Sequence, residues 1–271
     1  MKKYYEPDKV RGSIAMEPAP DEVRIQYLRP GELIRIQEDF PVAYMPVGTL
    51  EWHGRQNPLG CDAIKAETLC VEAAKKTGGV VMPPVYFSAD ATRDIGFGLG
   101  CGMDAAAGFL LPGSFYKMPD ALLKEFYKAA CANYLSRGFK MVVIVSGHNA
   151  IAQQYLFDEI CYEFKSPEGA EPVCFTMEYA VLEPGDPRRH SDHAGFYETS
   201  MMMYMNGDRV NLAANDGCEI PELAVHTQRS LGESSAEEGE KYFRLQVDGL
   251  ARYAKNKYAE YAEYLERNGK T

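Results

Sequence analysis

The feature that most constrains this chain is a short apolar run, Met141-Val142-Val143-Ile144-Val145, followed at once by Ser146-Gly147. Consecutive β-branched side chains with no polar partner between them cannot present a wet face. The segment therefore predicts a strand buried on both sides. Phe40-Pro41-Val42-Ala43-Tyr44-Met45-Pro46-Val47, bounded by Gly48, reads the same way, as do residues 80–85 and 173–177. Between these runs the chain predicts helices over 29–38, 63–77, 119–137, 150–165, 196–206 and 236–265. In the third of these, Leu122, Leu123, Phe126, Ala130 and Tyr134 fall near one stripe. Doubly buried strands alternating with helices predict an α/β fold with a parallel or mostly parallel sheet covered by helices. Such sheets bind ligands beyond the carboxyl ends of their strands. That directs attention to the segments after residues 47, 87, 145 and 177.

Residues 1–24 are polar, carry Pro18 and Pro20 and lack periodicity. They read as an N-terminal arm lying on the body or on a neighbouring subunit. Residues 25–271 are then one domain, an ordinary size for this class. Residues 88–114 are rich in Gly and Ala and predict a loop whose length marks it as functional.

Charge and motifs remove whole classes. With 29 basic and 39 acidic residues the net charge is −10, which argues against a nucleic-acid groove. Apolar runs fall short of the roughly 18 residues a membrane span needs, and the two lysines near Met1 have no apolar stretch behind them. The seven cysteines are scattered and odd in number, which suits reduced thiols in a cytoplasmic protein. The chain carries neither a Gly-x-Ser-x-Gly elbow nor a phosphate-binding Gly-Lys-Ser/Thr loop.

Only five histidines exist, so their placement is informative. Glu51 and His53 follow the first strand two residues apart, which puts both on one side of an extended segment. Asp62 opens the next helix, within reach of a returning loop. Two carboxylates and an imidazole converging suit a borderline divalent ion, Zn²⁺, Mn²⁺ or Fe²⁺. A solvated Glu51, a packed His53 and a capping Asp62 fit the same spacing. His148 directly follows the central strand through Gly147, and is a further ligand or a satisfied loop residue. In Ser191-Asp192-His193-Ala194-Gly195-Phe196-Tyr197-Glu198, Asp192 either raises the basicity of His193 for proton transfer or caps the helix. Glu198 sits in that helix's first turns, where a carboxylate is favoured without any metal. His190 and His226 read as surface residues.

Taken together, these segments resemble the creatininase family of metal-dependent amidohydrolases. The resemblance rests on Pro46-Val47-Gly48-Thr49-Leu50-Glu51-Trp52-His53-Gly54 with Leu59-Gly60-Cys61-Asp62, on Ser146-Gly147-His148, and on His193-Ala194-Gly195-Phe196-Tyr197-Glu198-Thr199-Ser200. Pro112-Gly113-Ser114 resembles the family's Pro-Gly-Thr turn, and the ordered motifs span about 40 to 265. The resemblance implies a three-layer α/β/α sandwich carrying two divalent metal ions. Glu51, Asp62 and His148 would hold one ion. His53, the bridging Asp62 and one more carboxylate would hold the other. Creatininase itself takes that carboxylate two residues after the second-motif His, where this chain has Ala150, so the missing ligand is assigned to Glu198.

The implied reaction is hydrolysis of a C–N bond in a small cyclic amide or formamide-type substrate, by a water activated between the metals. His193, oriented by Asp192, would protonate the leaving group. Ring-opening of a cyclic polyol ketone, as in inosose hydrolases, is the alternative. A catalytically silent metal-binding subunit is a third reading, which Ala150 permits. The resemblance also implies a homo-oligomer such as a hexamer. The segment 88–114 departs most from the family and offers Asp90, Arg93, Asp94 and Asp104 as polar candidates to shape the pocket.

Overall fold

In a computed structural model, described for all residues except 1–11, 15–16, 19, 97, 116–117, 191, 221 and 270–271, the central element is a four-stranded parallel sheet. The chain runs α1 (Pro30–Asp39), β1 (Val42–Val47), α2 (Cys61–Thr77), β2 (Val80–Val81), β3 (Thr92–Asp94), β4 (Leu99–Cys101), α3 (Met103–Ala107), α4 (Asp120–Ser136), β5 (Met141–Ser146), α5 (Ile151–Phe164), β6 (Val173–Met177), α6 (Phe196–Asn206) and α7 (Ala236–Arg267). The sheet order is β2-β1-β5-β6, with Val42 opposite Met141 and Val142 opposite Val173. Every residue of β1 and β5 is buried, as their apolar runs require.

Alternate strand residues feed two cores. Val42, Tyr44, Val143 and Val145 pack with Leu69, Tyr242 and Leu250 of α2 and α7 on one face. Ala43, Met45, Val142 and Ile144 pack with Ile36, Leu123 and Phe157 of α1, α4 and α5 on the other. The result is the three-layer α/β/α sandwich expected. The chain leaves β1 for β2 on one side and later enters β5 on the other. The carboxyl ends of β1 and β5 therefore form the crevice at a topological switch point.

Two expectations change. The strand expected over 80–85 pairs regularly only at Val80–Val81, because Pro83 and Pro84 bring no N–H to a ladder. Val85 rejoins as an isolated bridge to Val47. The 88–114 loop holds structure of its own, the antiparallel hairpin β3–β4 and the short α3. Three-residue strands flanked by glycines leave no alternation to read. Much of the arm expected over 1–24 lies outside the described residues, but at its end Val81 N donates to Val23 O at 2.8 Å, tying it to the edge strand.

Candidate metal centre

Backbone proximity builds this centre before any side chain does. Gly48 follows β1, Gly147 follows β5, and the first turn of α2 is wedged against both. A Cβ on Gly48 would lie 2.2 Å from Ala63 N, and one on Gly147 would lie 2.1 Å from the Asp62 carbonyl oxygen. Only glycine permits that approach, and it delivers Asp62 to the switch point.

The Asp62 carboxylate divides between two imidazoles. Its Oδ1 lies 2.9 Å from His53 Nε2 and its Oδ2 lies 3.2 Å from His148 Nδ1. His53 donates its Nδ1–H to the Glu51 carbonyl at 3.1 Å, which fixes the tautomer and turns Nε2 into the centre. His148 has Nδ1 3.4 Å from Glu51 Oε2, and Nε2 3.3 Å from Asp90 Oδ2. His53 thus presents Nε2 inward with Nδ1 held by a carbonyl, and His148 turns Nδ1 to Asp62 and Glu51 while its Nε2 faces Asp90. Glu198 completes the set: Oε2 is 3.6 Å from His53 Nε2 and accepts from Ala194 N at 2.7 Å. The five side chains are almost wholly buried.

Their electrostatics follow from this packing. Burial alone would raise the Glu51 carboxyl, but His193, His148 and His53 pull it down to about 2. Asp62 is likewise driven well below the usual range against the cost of burial. Burial opposes protonation of His53, yet Asp62 and Glu198 raise it to about 9. Carboxylates this deep, facing imidazoles and the buried ammonium of Lys65, are a site prepared for cations. Among the described residues three groups have ligand atoms close enough to share an ion: Glu51, His53 and His193; His53, Cys61 and Glu198; and Glu51, Asp90 and His148. Buried oxygen and nitrogen donors of this kind fit borderline divalent metals.

Of the two roles the sequence allows Asp192, the structure shows the helix cap, and His193 is oriented by another partner. The His193 ring donates Nε2–H to the Trp52 carbonyl at 2.7 Å, leaving Nδ1 4.0 Å from Glu51 Oε2. Trp52 is itself pinned by Nε1–H donation to the Leu223 carbonyl at 3.0 Å. The His193 backbone pairs with that of His226 in both directions at 2.8 Å. Asp192 instead accepts from Tyr197 N at 2.7 Å and Glu198 N at 3.2 Å, so its carboxylate caps α6. Burial lowers the His193 pKa and keeps the ring neutral. Burial, with the Glu198 charge behind it, lifts Asp192 to about 7.

A cavity of about 260 Å³ opens on this centre, lined by Asp90, Met103, Asn149 and Ala150 together with Glu51, Asp62, His148 and Glu198. Of the four polar candidates in 88–114 only Asp90 reaches it. Arg93 and Asp94 are exposed on the hairpin, and Asp104 accepts from Leu111 N at 2.8 Å. Gln153 of α5 holds the approach to Asp90 by accepting from Ala89 N at 2.9 Å. Lys65 and Glu178, both buried at the centre, escaped the sequence reading. The available signal was a lysine one turn after Asp62 on the helix face that carries Ala66, Leu69 and Ala73.

A model of the creatininase family, described as creatinine amidohydrolase, matches residues 26–254. No curated protein matches the chain. Among solved structures, a creatinine amidohydrolase (creatininase) superposes with TM-score 0.65 at 19% identity, covering 86% of this chain and 96% of its own. A creatininase variant of Zn–Zn type gives 0.65 at 20%, covering 87% and 98%. A creatininase variant complexed with creatine gives 0.65 at 19%, covering 88% and 99%. At these identities the likeness shows a shared fold. The family match extends over most of the sequence, and the chain belongs to the creatininase family of hydrolases.

Proposed function

We propose that the chain is a metal-dependent hydrolase cleaving a C–N bond in a small cyclic amide or formamide-type substrate. Glu51, Asp62 and His148 would hold one divalent ion, and His53, Asp62 and Glu198 a second, as zinc, manganese or iron. Bound there, such ions supply an activated water near neutral pH and polarise a carbonyl. The observation that carries the reading is the Asp62 carboxylate, with one oxygen turned to each imidazole. The Zn–Zn and creatine-complexed creatininases of the same fold support both the paired ions and a small-molecule substrate.

The chain's own residues move the proton. Neutral His193, fixed through Nε2 on Trp52, presents Nδ1 beside Glu51, where it takes a proton from the attacking water. The same nitrogen then gives it to the departing amine, so one residue serves as base and then acid. Asp192 contributes by fixing the start of α6, which places Glu198. Glu198 supplies the carboxylate that Ala150 lacks, which favours catalysis over a silent binding role. Residues 25–271 act as one unit. A homo-oligomer is supported by the exposed Phe87 and Phe126, which flank an apolar groove of about 530 Å³.

Elemental analysis of wild type and Glu198→Ala tests the reading. Two ions per chain falling to about one is expected. Two ions in both proteins would remove Glu198 from the ligand set.

A further inference from the structure

Lys65 takes no part in the chemistry above, yet it is among the largest fully buried side chains of the molecule. Its Nζ meets oxygens from four residues. The Gly147 carbonyl lies at 3.2 Å, Glu178 Oε1 at 3.3 Å and Asp62 Oδ1 at 3.7 Å, and the nearest contact is Glu198 Oε1. Glu178 opens the short 3-10 turn that follows β6 and is itself almost wholly buried. Asn149 donates to its Oε1 at 2.9 Å, while its Oε2 is buried without a hydrogen-bond partner. Buried lysines are uncommon and need pairing. A shell of carboxylate and carbonyl oxygens is what hard cations such as Mn²⁺ take.

The geometry also explains the aim of Glu198. One oxygen is held by Lys65, and the other accepts from Ala194 N and faces His53. Without the ammonium the carboxylate could turn, and Glu178 would be a bare buried charge. Asp62 and Lys65 stand one turn apart on α2, so the same helix brings a ligand and a fixed positive charge to the centre.

Resting on the reading of Glu198 as a ligand, we propose that Lys65 is a positioning residue, a built-in cation. It holds Glu198 in a single orientation. It also fills a place among Glu178, Glu198, Asp62 and the Gly147 carbonyl that would otherwise take a further ion.

The test titrates Lys65→Ala with Mn²⁺, and separately with ethylammonium, which returns an ammonium without its tether. Tetramethylammonium, which donates no hydrogen bond, is the control. The variant is expected to take up one more Mn²⁺ per chain than wild type and to melt lower when metal-free. Ethylammonium should raise that midpoint and displace the extra ion, and tetramethylammonium should do neither. A Mn²⁺ count equal to wild type overturns the proposal and leaves Lys65 as a packing residue. A wild type holding fewer than two ions would instead count against the ligand reading, with the difference between the two proteins still deciding the role of Lys65. Where Lys65→Ala fails to fold with any of these ions, Lys65→Ala/Glu178→Gln decides, since it removes one charge of each sign. Recovered folding with the wild-type ion count supports the proposal, and no recovery overturns it.

Discussion

Gly147→Ala is the sharpest perturbation of the centre, because it changes no ligand. The added methyl would sit 2.1 Å from the Asp62 carbonyl oxygen and 3.2 Å from its Cα. Relief to ordinary contact needs a shift of about 1.3 Å, whereas metal–ligand distances tolerate about 0.2 Å. The atoms in the way are backbone, so rotating a side chain cannot relieve the clash. Either the first turn of α2 moves, taking Asp62 away from both imidazoles, or the chain after β5 moves, taking His148. Overpacking of this kind costs about 1–3 kcal/mol. For a chain of this size that lowers the thermal midpoint by roughly 3–10 °C. Metal affinity should fall at least as far as when an outer-shell partner is lost, about 10–100-fold, and at both proposed positions, since Asp62 is proposed as a ligand to each. Gly207→Ala is the control, since a Cβ there meets nothing within 4 Å. Equilibrium dialysis and thermal melts of the three proteins provide the readout. Gly147→Ala with two ions per chain and an unchanged midpoint would refute the claim that backbone proximity sets the ligand geometry.

His193→Ala should lower kcat by about 10²–10⁴-fold while metal content, by elemental analysis, stays at the wild-type value. Asp192→Ala should cost about 1 kcal/mol as a lost helix cap, with a far smaller effect on kcat than His193→Ala; an equal loss would restore Asp192 as the orienting partner of His193. In the metal-free protein, the Asp192 carboxyl is raised to about 7 from an unfolded value near 3.8. The folded state then binds the extra proton, so this residue's contribution to stability falls as pH rises from about 4 to 7. Subtracting the melting profile of Asp192→Asn should isolate that decline, and coincident profiles would deny it. Phe126→Glu should shift the particle to smaller mass by light scattering, whereas a wild type already monomeric would end the oligomer reading.

Most of the scaffold was legible because its strands are uninterrupted apolar runs, but the stripe expected on 119–137 is not the buried face, since Leu123, Tyr127 and Cys131 turn inward while Leu122 and Phe126 are exposed. The helix 196–206 emerged with the bounds expected, and 63–77 began two residues early at Cys61. Strand pairing at 80–85 was overestimated because two prolines interrupt an otherwise apolar segment. Glu51, His53, Asp62, His148 and Glu198 each stand at a strand end or helix start, but spacing left other roles open and only the family resemblance joined them as a ligand set. The orientation of His193 was not, because its partner is the backbone carbonyl of Trp52, and a carbonyl has no signature in a sequence. Lys65 was hidden for another reason. A lysine three residues from an aspartate on a helix looks like an ordinary surface ion pair until tertiary packing closes over it.

The hairpin β3–β4 hydrogen-bonds to itself and forms a sheet separate from the central one, yet Asp90 before it and Met103 after it both border the cavity. Roof and foundation are therefore separable parts. Exchanging residues 90–103, which include both bordering side chains, with those of a related chain would change the rim of the cavity and leave the five proposed ligands in place. The resulting chimeras should keep their ions and their melting behaviour while accepting different molecules, so new substrate preferences can arise in this architecture without rebuilding its chemistry.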